Sequence, residues 1–206
     1  MIEKEHYLEI AQKYGEFASW AIWAEEGQTP KSNMGDISIF DLKCNPNILN
    51  QVNPEVVMVG LNFLRVIEKE TFVNFHDKRP QAQDFKIRYA FKNTKYYGAY
   101  MTDIVKDFAE LISGNVMSYL KANKDFEHQN IALFKQEVAD LRATNPLIIA
   151  FGNHVYNILL KHFKNQYKIV KVPHYSMYIS KEDYKKEVDS ILNNMNNIDL
   201  LPFEAL

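Results

Sequence analysis

At 206 residues the chain is long enough for one domain with a sizeable core and does not require two. Its 47% hydrophobic and 13% aromatic content excludes a disordered chain. A formal net charge of −2 excludes a polycationic surface, so any nucleic-acid contact has to come from a local patch.

In chain order, Tyr7, Ile10, Ala11, Tyr14, Phe17, Ala18, Ala21 and Ile22 recur at helical spacing and predict a helix over 3–25, closed by Gly27 and Pro30 and carrying Trp20 and Trp23. A short strand at 37–42 is one reading of an otherwise irregular, turn-rich stretch that ends at Pro54. The apolar run "VVMV" predicts a buried strand at 55–61. A helix at 85–95, a strand at 98–102 and a helix at 103–121 interrupted near "SGN" follow. A helix at 128–143 stops before Asn145-Pro146, and "LIIAFG" at 147–152 repeats the pattern of strand, glycine and helix. A strand at 167–173 precedes a last helix at 180–195, opened by an approximate capping box, Ser180 with Asp183. Alternating helices and short buried strands predict an α/β fold with a mainly parallel sheet. The expected organisation is a single domain over 1–206, with residues 1–50 as a helical N-terminal extension packed on it.

The single Cys44 excludes an intramolecular disulfide and any four-cysteine zinc or iron–sulfur site within one chain. The histidine spacing signals no metal. Phosphate-loop, dinucleotide, zinc-hydrolase and serine-elbow motifs are missing, so no cofactor is expected. The charged start "MIEKEHYLEI" lacks a signal-peptide core, and no apolar run approaches the ~20 residues of a membrane span. A soluble, cytoplasmic protein with no membrane partner is the expectation.

In parallel sheets ligands sit beyond the carboxyl ends of the strands. Here those ends are Gly60-Leu61-Asn62, Thr102-Asp103, Gly152-Asn153 and Pro173-His174-Tyr175-Ser176, each with a polar group. Asn62 either orients a water or closes a turn through its own backbone. His174 either donates to an oxygen gaining charge or is satisfied by a neighbouring carbonyl. Asp103 either caps the next helix or accepts from a ligand. Phe72, Phe75, Tyr89, Phe91, Tyr96 and Tyr97 can stack on bases or fill the core. From Arg65 to Lys106, nine Lys/Arg against five Asp/Glu give an excess of 9 − 5 = +4, suited to phosphate contacts or to a solvated face.

Taken in order, these segments resemble the uracil-DNA glycosylase superfamily over residues 52–192. "VVMVGLNF" is similar to the first motif of its mismatch-specific uracil/thymine branch, an apolar strand leading to G-x-N-P-G. "YGAYMTDIVK" is similar to a strand ending in T-N-x-V-K, "NPLIIAFGNHVYNILL" to a strand, glycine and helix, and "VPHYSMY" to a closing H-P-S motif. The resemblance implies a three-layer α/β/α sandwich with a short, mainly parallel central sheet, and a DNA glycosylase that flips a modified, damaged or mismatched base into a pocket and hydrolyses its N-glycosidic bond without a metal. Asn62 would hold the water and His174 would stabilise the departing base. Gly60, Leu61, Phe63, Phe75, Phe91 and Asp103 would meet the base, with the stacking ring one of Phe72, Phe75 or Phe91. Arg65, Lys106, Asn153, Tyr175, Ser176 and Met177 would meet DNA, with Met177 or Tyr178 as the wedge. The chain departs from the pattern at Phe63, Leu64 and Tyr175, and at Asp103, which stands where several branches read uracil with asparagine. Two other readings stay open: a catalytically silent nucleic-acid-binding relative, and an α/β domain that binds a nucleotide or nucleoside.

Overall fold

The computed structural model describes residues 2–62, 70–106 and 108–198. They form α1 (Lys4–Tyr14), β1 (Ala18–Trp20), a 3₁₀ turn (Ser38–Phe40), α2 (Ile48–Gln51), β2 (Asn53–Asn62), α3 (Phe85–Phe91), β3 (Ala99–Val105), α4 (Ser113–Ala122), α5 (Lys124–Asp140), β4 (Leu147–Phe151), α6 (Asn153–Phe163), β5 (Lys168–Val172) and α7 (Lys181–Ile198). The sheet order is β1-β3-β2-β4-β5. β3, β2, β4 and β5 are parallel, and β1 joins the edge antiparallel to β3.

Alternation along the central strands sorts side chains to two faces. Val57, Val59, Tyr100, Ile148 and Ala150 pack with residues of α1, α4, α5 and α6. Val56, Met58, Met101, Ile149 and Phe151 pack with residues of α3 and α7. The result is the expected three-layer α/β/α arrangement. β2 and β4 are apolar on both faces because both are covered, while β5 carries Lys168 and Lys171 as an edge strand can. Ser180 Oγ accepts from the Asp183 N–H (3.0 Å) and donates to its carboxylate (2.7 Å), so Ser180 caps the first turn of α7 and Asp183 holds the capping hydroxyl.

Several boundaries differ from those read off the sequence. α1 stops at Tyr14, and the chain turns so that Ala18–Trp20 pairs with Tyr100–Thr102. Trp20 is therefore a fully buried strand residue, and the apolar spacing beyond Tyr14 records a strand and its exit rather than more helix. Residues 38–40 form a 3₁₀ turn, not a strand. β3 runs on to Val105 because its β-branched residues continue the ladder, with Gly60 opposite Asp103 and Asn62 opposite Val105. No helix starts at 103, so Asp103 is a strand residue and not a helix cap. "SGN" begins α4 instead of interrupting a longer helix.

Because β2 leads through α3 to β3 on one side while β4 leads through α6 to β5 on the other, the chain reverses direction between β2 and β4. A crevice opens at such a point, beyond the strand carboxyl ends.

Candidate active site

A cleft of about 700 Å³ occupies that crevice. Gly60, Leu61 and Asn62 line it from β2, and Asp103 from β3. Phe151, Gly152 and Asn153 reach it from the β4–α6 turn, and His174, Tyr175 and Ser176 from the end of β5. The four strand ends singled out in the sequence thus meet at one place.

Asn62 is half-buried, and its amide is fixed: Nδ2 donates to the Phe108 and Glu110 carbonyls, each at 2.9 Å. Glu110 is in turn held by the Ile112 N–H (2.8 Å) and by Asn115 Nδ2 (3.1 Å). With both amide protons committed, the remaining function of Asn62 is its Oδ1, an acceptor that no donor reaches among the described residues.

His174 shows the opposite polarity. Its Nδ1 receives the Ser176 N–H at 3.2 Å and lies 2.8 Å from the Ser176 hydroxyl. A nitrogen that accepts a backbone N–H carries no proton, so the neutral ring bears its proton on Nε2. Burial pushes the imidazole down to about 4, which keeps it neutral at physiological pH. The ring stacks on Tyr175 at 4.4 Å, and Tyr175 meets Phe151 and Phe75 edge-on. Gly152 lies beside it at φ +87°, backbone space suited to glycine, and a Cβ there would stand in ordinary contact with the His174 Cβ. The loop is tied to α3 by Lys86 Nζ, which donates to the Met177 carbonyl at 2.7 Å.

Asp103 is 5% exposed on the cleft floor. Burial is the largest influence on its carboxyl and outweighs the Asn74 hydrogen bond and nearby Lys106, raising it to about 6. Asn74 Nδ2 donates to Asp103 Oδ2 (2.9 Å) and to the Phe17 carbonyl (2.9 Å), while Asn74 Oδ1 accepts from the Phe75 N–H (3.0 Å). Gly60 matters here for space, since a Cβ would run into Asp103 Oδ1.

Phe75 is the one of the three candidate rings at the cleft. Phe72 and Phe91 are both core residues, packed on opposite faces of the sheet, so Phe91 does not meet a base. Phe72 and Phe75 have φ of +66° and +62°, a conformation that a bulky residue keeps only when its surroundings enforce it. The enforcing contacts come from the N-terminal segment. Ser19 Oγ donates to the Phe72 carbonyl (2.8 Å), Trp23 Nε1 donates to that of Phe75 (3.2 Å), and the Phe72 N–H donates to the Gly15 carbonyl (2.7 Å).

The expected phosphate contacts fare differently. Lys106 is buried, with Nζ 2.7 Å from Glu137 Oε2, 3.0 Å from Thr102 Oγ1, and donating to the Asp103 carbonyl. It points away from solvent and cannot reach a phosphate. Arg79 pairs with Asp77, Lys92 with Glu25, and Arg88 donates to the Ala24 and Pro30 carbonyls. Lys86, Arg88 and Lys106 are thus buried and committed internally, while Arg79 and Lys92 are paired at the surface. Asn153 begins α6 at the cleft mouth and accepts from Lys171 Nζ (2.8 Å). Ser176 and Met177 are exposed, as is Tyr178. Phe63 and Arg65 lie outside the described residues.

Asn74, Asp77, Arg79 and Asp84 line the cleft and were not singled out from the sequence. The only signal was the density of polar groups in "NFHD" beside an aromatic residue already noted. Among the described residues, no group of three or more His, Cys, Asp or Glu could hold a metal ion, and no helix is long and apolar enough to cross a membrane. No protein-family model, no curated protein and no solved structure matches the chain.

Proposed function

We propose that the cleft hydrolyses the N-glycosidic bond of a nucleobase, with a flipped base in DNA as the substrate. The observation that carries this reading is the pairing of two fixed groups of opposite polarity at one cleft: the acceptor Oδ1 of Asn62 and the donor Nε2–H of His174. In the reaction, a water hydrogen-bonded to Asn62 Oδ1 adds through its oxygen to the sugar C1′ as the C1′–N bond breaks. The bonding pair leaves with the base. His174 Nε2–H donates a hydrogen bond to the charge that develops there. An amide does not take the water's proton, so Asn62 contributes position, and the proton passes to the leaving base or to solvent. Phe75 supplies an aromatic face to the base.

The test is alkaline cleavage of oligonucleotides holding uracil, hypoxanthine, mismatched thymine, 5-substituted cytosines and alkylated bases. The expected result is cleavage of one class, reduced about 10²-fold or more by Asn62→Ala and by His174→Ala. Cleavage that survives both substitutions refutes the assignment. A second reading, hydrolysis or binding of a free nucleoside, is favoured by the burial of Lys86, Arg88 and Lys106, because a nucleoside brings no phosphate chain. It predicts binding insensitive to salt, whereas a DNA substrate predicts steep salt dependence.

A further inference from the structure

The Asp103 carboxylate has one oxygen held and one open. Asn74 fixes Oδ2, and Asn74 is itself immobilised by the Phe17 carbonyl and the Phe75 N–H. No donor among the described residues reaches Oδ1, which lies over Gly60 on the cleft floor. The nearest cation, Lys106, directs its ammonium to Glu137, Thr102 and the Asp103 main-chain carbonyl rather than to the carboxylate. Phe75 sits beside the same glycine, its ring 3.3 Å from where a Cβ would stand, so an aromatic ring and an open carboxylate oxygen meet in one slot.

A carboxylate oxygen that faces a cleft and meets no protein donor is free to accept from a ligand that supplies one. From this geometry we infer that Asp103 determines specificity: the slot takes a base whose edge carries an exocyclic amine, which donates to Oδ1, in preference to the deaminated base, which presents a carbonyl oxygen there. The carbonyl would face a carboxylate with no proton between them. This rests on reading the cleft as a base pocket. It goes further by naming the chemical class of base and Asp103 as its selector.

Binding separates the two claims. The probes are deoxycytidine against deoxyuridine and deoxyadenosine against deoxyinosine, titrated into the intact protein at pH 7.5 by NMR or calorimetry, with Asp103→Asn in parallel. The expected result is at least about tenfold tighter binding of the amino member of one pair, with the preference lost or reversed in the variant, whose amide can donate to a carbonyl. Equal binding within both pairs, or a preference for the deaminated member, overturns the role of Asp103 while leaving the pocket reading intact. Failure of all four nucleosides to bind, together with no oligonucleotide cleavage, overturns both. The comparison within wild type decides the point even if Asp103→Asn does not fold.

Discussion

Replacing Lys106 with methionine separates a structural cation from a phosphate contact. The Lys106 and Glu137 side chains are 4% and 0% exposed, and their charged atoms are 2.7 Å apart. The ammonium, beside this close charge pair, also donates to Thr102 Oγ1 and the Asp103 carbonyl. Tyr100 Oη donates to the other oxygen of Glu137 at 2.7 Å. Lys106→Met fills the aliphatic volume between Phe17 and Phe134 but leaves a buried carboxylate with one neutral donor. Breaking a buried pair in this way costs about 3–5 kcal/mol. With a urea m-value of about 2–3 kcal/mol/M for a chain of this size, the unfolding midpoint should fall by about 1–2.5 M. Lys106→Met/Glu137→Gln removes both charges and should recover part of the loss, a coupling that a double-mutant cycle reads directly. If Lys106 served a DNA backbone instead, Lys106→Met would leave stability within about 0.5 kcal/mol of wild type and lower the salt slope of DNA binding by about one. That outcome refutes the buried-pair argument.

Two further outcomes follow from the same kind of reasoning. Desolvation raises the Glu127 carboxyl, but Lys124, Lys161 and His162 outweigh it and hold it at about 2, below its ordinary 4.5. A depressed folded-state value stabilises the fold fully above the unfolded value near 4.5 and is lost as pH falls toward 2. Wild type should therefore lose about 1–3 kcal/mol across that window, the lower figure reflecting half-exposed lysines, while Glu127→Gln is less stable at pH 7 and loses less on acidification; parallel pH–urea curves would count against this. For His174, ¹⁵N NMR should show a neutral ring protonated on Nε2 through pH 5–8 that titrates near 4; a midpoint near 6.5, or a proton on Nδ1, would remove it as the donor in the proposed reaction.

The central strands were legible because their apolar runs are buried on both faces, and parallel strands place their carboxyl ends together, which puts Asn62, Asp103, Gly152 and His174 at one cleft. What was not legible depends on tertiary pairing. Thr102-Asp103-Ile104-Val105 has the residues of either a strand or a helix start, and only the neighbouring β2 decides. Ala18–Trp20 shares its spacing with a helix and becomes a strand because β3 offers an open edge. The excess of positive charge was correctly counted but says nothing of where the side chains point, and Lys86, Arg88 and Lys106 point inward. Composition fixes a segment's charge, whereas burial and pairing decide whether a ligand can use it.

The same limit hid the role of the N-terminal segment. Backbone residues held at positive φ, as Phe72 and Phe75 are, cost of the order of 1–3 kcal/mol each. Gly15, Phe17, Ser19 and Trp23 offset that cost by hydrogen-bonding Phe72, Asn74 and Phe75. Ile22 contributes too, since its carbonyl lies 2.8 Å from His76 Nε2, and His76 stacks on Trp23. The loop that presents Phe75 and anchors Asp103 through Asn74 is therefore shaped by residues 15–23, far from it in sequence. Pairing of β1 with β3 fixes those residues against the strand that carries Asp103. The edge strand and the cleft floor are thus parts of one rigid arrangement, and the N-terminal segment belongs to the site even though it contributes no residue to the cleft lining.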